Sequence, residues 1–189
     1  MLYIMRHGKT DWNEQRKLQG QTDVPLNEEG REMALAAGRE YAGIHLDVCY
    51  CSPLIRAKET AELFFKERKE NIPVIIFDHR LKEMGFGVYE GVAESFGILD
   101  CPVNVFFKHP EEYTVPVEGG ESMDELFERT GEFLKERVYP DLAAGKDVLI
   151  IGHGAMNSSI ICQVKFNSDR SRFWEEGIPN CKMIKLLEG

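Results

Sequence analysis

The sequence predicts a layered α/β domain, on three observations. Apolar runs of strand length at residues 2–5, 47–51, 73–77, 147–151 and 181–187 alternate with segments whose apolar residues recur at helical spacing. Hydrophobic residues make up 43% and charged residues 29% of the 189, the balance of a chain with a full packed core. Two of the strand-like runs end in His-Gly, at His7-Gly8 and His153-Gly154, the position where ligands collect beyond the strands of an open α/β sheet.

Taken in order, residues 2–5 form a short buried strand, followed by a polar, irregular stretch over 9–26. Asn27 reads as a helix N-cap, Glu28 and Glu29 suit the positive end of the helix dipole, and Gly43 is the expected stop. After the second strand, Ser52 and Pro53 read as the cap and first position of a helix with Leu54, Ala57, Ala61, Phe64 and Phe65 on its apolar face. Residues 73–77 give the third strand. Ser122 and Glu125 form a capping box ahead of Leu126, Phe127, Thr130, Phe133 and Leu134. A fourth strand at 147–151, a helix at 156–164 and a last strand at 181–187 complete the pattern.

Residues 91–120 contain Pro102, Pro110 and Pro116 with Phe96, Phe106, Phe107 and Tyr113, and read as a partly helical insertion over one end of the sheet. The aromatics there are read as packing before stacking for a ligand. No linker or composition shift divides the chain, so 1–189 is expected to be one domain.

With 23 Lys+Arg against 32 Asp+Glu the net charge is -9, which excludes a general nucleic-acid binder but leaves room for a small basic pocket. No stretch approaches the ~20 apolar residues of a membrane span, and the apolar N-terminal run is cut short by Arg6. The five cysteines are an odd number without zinc-ribbon spacing: Cys49, Cys51 and Cys181 fall in strand-like runs and Cys162 on a helical pattern. They read as small buried hydrophobes in a reducing compartment, and a cytoplasmic location is expected.

A lone histidine at a strand end more often bonds a loop carbonyl than serves chemistry. Two His-Gly pairs at similar strand ends, one preceded by Arg6, reverse that preference, and both imidazoles arrive at one edge if the two strands run parallel. Arg56 lies about one turn into the helix after the second strand; alone it would read as an ion pair with Glu59 or Glu62, but its position brings it to the same crevice. Two guanidinium groups match tetrahedral oxyanions and would repel a metal cation at the two imidazoles. The chain has no P-loop, GxGxxG or GxSxG pattern, so a phosphate must be held by side chains.

The run Arg6-His7-Gly8-Lys9-Thr10-Asp11-Trp12-Asn13 resembles the RHG signature of the histidine phosphatase superfamily, which includes the cofactor-dependent phosphoglycerate mutases. Residues 25–30, the SxxxRAxxTA-like string over 52–61, the acidic segment 81–91, the Gly119-Gly120-Glu121-Ser122 turn and Gly152-His153-Gly154 follow in the family's order. The resemblance implies a three-layer α/β/α sandwich with a mixed, mostly parallel sheet. It also implies that His7 is the nucleophile of a phosphohistidine mechanism and that Glu83 is proton donor and then base. Arg6, Asn13, Arg56, His153, Gly154 and, more weakly, Gln19 would hold the phosphoryl oxygens. No metal or cofactor is required, and the partner is a small phosphorylated substrate: a sugar phosphate, a phosphocarboxylic acid or α-ribazole phosphate.

The chain departs from the family pattern at Lys9, which would add charge at the pocket rim, at Tyr89, and over residues 92–118, the place of the family's substrate lid. Lys108 and His109 in that segment read as solvated surface. A phosphatase is the expected function, because a short lid leaves water access to the intermediate. The alternatives are a mutase primed by a bisphosphate and a catalytically silent phospho-ligand module. An oxidoreductase lacks its glycine fingerprint.

Overall fold

Strand β1, Leu2–Arg6, lies between β4, Val148–Gly152, and β5, Met183–Leu187, in a five-stranded sheet of order β3-β2-β4-β1-β5. Strands β2, Val48–Cys51, and β3, Val74–Phe77, complete it; β1 through β4 are parallel and β5 runs antiparallel. The computed structural model describes residues 1–68, 72–93, 98 and 101–188. Among them no helix is long and apolar enough to cross a membrane.

The continuous apolar runs of β1, β2 and β4 follow from their place in the middle of a parallel sheet, buried on both faces, whereas edge strand β3 is half exposed. Alternate residues enter opposite cores. Ile4, Tyr50 and Ile150 face the layer of α5, Met123–Phe133, and α7, Gly154–Lys165, meeting Leu126, Phe133 and Ile160. Met5, Cys51 and Ile151 face α2, Glu28–Glu40, and α3, Ile55–Lys66, meeting Ala34, Ala57, Ala61 and Phe64. The result is the three-layer α/β/α sandwich with a mixed, mostly parallel sheet.

Several boundaries differ from the sequence reading, each for a local reason. The polar stretch after β1 contains a short helix, α1, Asp11–Glu14, closed by a reciprocal box between Thr10 and Asn13. Asn27 caps α2 by accepting from Gly30 N at 2.8 Å, but the helix ends at Glu40, before Gly43. Arg68, beyond the end of α3, donates to the carbonyls of Tyr41 and Ile44 and satisfies the chain just past that end without a glycine. Ser52 and Pro53 do not open α3: Ser52 N still donates to Ile151 O in the strand ladder, and Leu54 is the N-cap.

Residues 101–118 hold α4, Val103–Lys108, and a single 3-10 turn, Pro110–Glu112. Phe106 and Tyr113 are buried core rings, whereas Phe96 lies outside the described residues. The Ser122–Glu125 box caps α5 as expected, and the chain continues through a π-helical turn, Leu134–Val138, into α6, Tyr139–Ala143. All five cysteines are buried and free, but Cys181 stands in a turn at φ 56°, ahead of β5 rather than within it.

Candidate active site

Because β1 and β4 are parallel neighbours with Arg6 opposite Gly152, the residues that follow them arrive side by side. The imidazole centroids of His7 and His153 are 5.1 Å apart. His7 N donates to Gly152 O at 2.9 Å, extending the ladder by one residue. Its Nδ1 lies 2.6 Å from Gly8 O, which can only accept, so Nδ1 carries the proton and Nε2 keeps its lone pair.

Two other segments clamp this loop. Gly8 N donates to Thr60 Oγ1 at 2.9 Å, Thr60 in turn donates to Arg56 O at 2.6 Å, and Asn180 Nδ2 donates to His7 O at 2.7 Å. A side chain at position 8 would bring its Cβ within 2.6 Å of Gly30 O, which explains the glycine after His7.

Arg56 is fully buried in the first turn of α3 and commits one N–H of each nitrogen to the protein, to Thr22 O at 2.8 Å, Gly20 O at 2.7 Å and His153 Nδ1 at 3.2 Å, which leaves one N–H on each terminal nitrogen. Burial lowers its pKa to about 10, partly offset by Glu83, and it stays charged at neutral pH. The arginine donor assigns His153 as Nε2-protonated, and that N–H donates to Ser52 Oγ at 2.7 Å. Arg6 is also lowered by burial, and its Nε is buried without a hydrogen-bond partner.

Glu83 reaches the start of α7, where Oε1 accepts from Met156 N and Met84 N at 2.9 Å each and Oε2 accepts from Ala155 N at 3.2 Å. Asn13 Oδ1 and Gln19 Oε1 both point to Thr10 Oγ1, at 3.1 and 3.0 Å, which turns their amide N–H groups the other way.

Of the residues singled out from the sequence, Arg6, His7, Asn13, Gln19, Arg56, Glu83 and Gly154 line one cavity of about 420 Å³. His153 does not. It stands beside Arg56, its Nδ1 accepting from Arg56 Nε and its Nε2 donating to Ser52 Oγ. Lys9 is not on the cavity wall either; its ammonium pairs with Glu29 at 2.7 Å and Glu14 at 3.4 Å. Glu59, the alternative partner set aside for Arg56, accepts from Leu26 N and pairs with Arg31. Lys108 and His109 are exposed, as read.

Sequence reasoning missed Ser52 and Thr60 as supports, although Thr60 is one turn after Arg56 on the same helix face. It also missed Trp12, Phe86 and Trp174 in the cavity wall. Trp174 follows Phe173 in a polar stretch, and that aromatic pair was the available signal.

Both histidines are pushed well below the usual value of 6.5, first by burial and then by the nearby Arg56 charge; Arg6 adds to this for both, and His7 does so for His153. Their neutral forms are therefore what the fold favours. As pH falls below 6.5 the unfolded chain takes up protons that the native chain refuses, so stability present above that pH is lost on acidification. Each refused proton contributes a slope of about 1.4 kcal/mol per pH unit. Urea unfolding at pH 7.5 and 5.5 is expected to show that loss, and His153→Gln is expected to show a shallower slope. An equal slope in the variant would contradict the assignment.

A family model described as the histidine phosphatase superfamily (branch 1) matches residues 2–188. Among curated proteins, 2,3-bisphosphoglycerate-dependent phosphoglycerate mutase 1 of Arabidopsis thaliana is 31% identical over 85% of this chain and 56% of its own length. The chain thus spans little more than half of that relative. The "uncharacterized phosphatase PhoE" of Bacillus subtilis is 32% identical over 85% of this chain and 75% of its own. Among solved structures, Bacillus stearothermophilus YhfR superposes with a TM-score of 0.82 at 30% identity, covering 96% of this chain and 88% of that one.

Proposed function

The chain belongs to the histidine phosphatase superfamily, and from that membership we propose that it hydrolyses small phosphomonoesters through a phosphohistidine at His7, with no metal. The carrying observation is the convergence in one cavity of an unprotonated His7 Nε2, the buried Arg56 and half-buried Arg6 side chains and the Glu83 carboxyl group.

In the first step the Nε2 lone pair attacks phosphorus in line, the ester P–O bond breaks, and Glu83 in its acid form passes its proton to the leaving alkoxide. The Nδ1 proton stays on the Gly8 carbonyl bond, which stabilises the positive charge growing on the ring. Arg6, Arg56, the amides of Asn13 and Gln19 and the backbone at Gly154 hold the three equatorial oxygens. In the second step water attacks the phosphorus, the N–P bond breaks, and Glu83, now a carboxylate, takes the water proton. His153 acts through Arg56, fixing the guanidinium plane.

We take the stretch from 92 to 118 as the lid-like insertion of a single domain; within its described part, α4 brings Phe107 to the cavity. Hydrolysis is favoured over transfer because the insertion at 92–118 is short for a lid that must keep water from a phosphohistidine. The mutase reading is kept as the second, because mutases are prominent among the curated relatives.

The test is phosphate release from a panel of phosphomonoesters in EDTA, with and without added 2,3-bisphosphoglycerate. Unprimed release that EDTA leaves unchanged is expected. Activity confined to monophosphoglycerate and dependent on the bisphosphate would establish the mutase. No turnover on any ester with retained phosphate binding would leave a binding module.

A further inference from the structure

Much of the cavity wall is aromatic, and phosphate binding does not use it. Trp174 and Phe107 stack at 5.7 Å with an interplanar angle of 18°, and Phe107 stacks on Phe86 at 6.2 Å and 26°. The stack is fixed from behind. Trp174 Nε1 donates to Phe106 O at 3.0 Å, and the buried Phe106 ring meets Trp174 and Phe173 edge-on at 5.1 and 5.6 Å. A cavity of about 420 Å³ falls within the size range of small-molecule sites.

The polar lining offers few open acceptors to a polyol. Asn13 Oδ1 accepts from Thr10 N, which leaves the Thr10 hydroxyl for Gln19 Oε1; Glu83 Oε1 accepts from two backbone N–H groups and Oε2 from one, and Gly20 O accepts from Arg56. Sugar hydroxyls laid against Phe86, Phe107 and Trp174 would lose water and gain few acceptors, whereas a flat apolar ring would lose little and gain contact.

We propose that the Phe86–Phe107–Trp174 wall is the leaving-group subsite and that it selects phosphate esters of flat aromatic alcohols over sugar phosphates. This rests on the phosphatase reading for its kinetic form but not for its binding form. Benzyl phosphate and glucose 6-phosphate make a fair pair, since both release an unactivated alkoxide and the sugar's is the better leaving group. Intrinsic chemistry therefore opposes the preference expected.

The wild type is expected to show a kcat/KM for benzyl phosphate on the order of tenfold or more above that for glucose 6-phosphate. Trp174→Leu and Phe107→Ala are each expected to reduce that ratio about tenfold. Calorimetry on the wild type is expected to find benzylphosphonate bound about tenfold tighter than methylphosphonate, a comparison that needs neither turnover nor a variant. Equal binding of the two phosphonates, or a wild type that prefers glucose 6-phosphate, overturns the subsite. Tighter benzylphosphonate binding with no turnover of either ester upholds the subsite and overturns the phosphatase reading instead.

Discussion

His7→Ala is expected to lower kcat on every phosphomonoester by at least about 10³-fold, because among the described residues no other side chain in the cavity offers an unprotonated nitrogen at that place. The loss falls on kcat more than on KM, since Arg6, Arg56 and the amides that bind the ground state remain. The fold should survive: the substitution removes one neutral ring and the Nδ1 bond to Gly8 O, a net contribution of about 1 kcal/mol. Steady-state kinetics with a circular dichroism check on folding reads both. A variant within tenfold of the wild type would mean that water attacks the ester directly and that His7 is only a wall.

Arg56→Lys is expected to be nearly as damaging, lowering kcat by roughly 10²–10³-fold although charge is conserved. The guanidinium is held by the Gly20 and Thr22 carbonyls and by His153 Nδ1. A lysine ammonium on a shorter, unforked stem cannot meet all three. Leaving a buried carbonyl and an imidazole nitrogen without donors costs about 1–3 kcal/mol of stability per group. The prediction therefore couples two readouts, a fall in kcat and a lower urea midpoint. Near-normal activity with a lowered midpoint would make Arg56 a structural brace without a catalytic part.

Much of this was legible in the chain itself, and the parts that were not share a cause. The strands were readable because a parallel sheet buried on both faces demands continuous apolar runs, as in residues 148–151. His7 and His153 were readable as a pair because parallel strands deliver their ends to one edge. The start of α3 was misread because Ser52 has the chemistry of a cap, while its hydroxyl is claimed by a histidine 101 residues away in sequence. The partners of His153 were out of reach for the same reason: nothing local reveals that Arg56 and Ser52 occupy its two nitrogens. Lys9 looked like a rim charge until Glu14 and Glu29 were placed beside it. Trp174 reached the cavity through its packing on Phe106 and Phe107, a long-range contact that no spacing rule describes.

The central claim is that the phosphoryl group is bonded to His7 between two displacements, and the stereochemical course at phosphorus tests it most directly. An ester made chiral with oxygen isotopes is hydrolysed in isotopically labelled water, and the configuration of the released phosphate is determined. Two in-line displacements each invert phosphorus, so net retention is predicted, whichever step is slower. Net inversion would mean a single attack by water and would contradict a phosphohistidine intermediate.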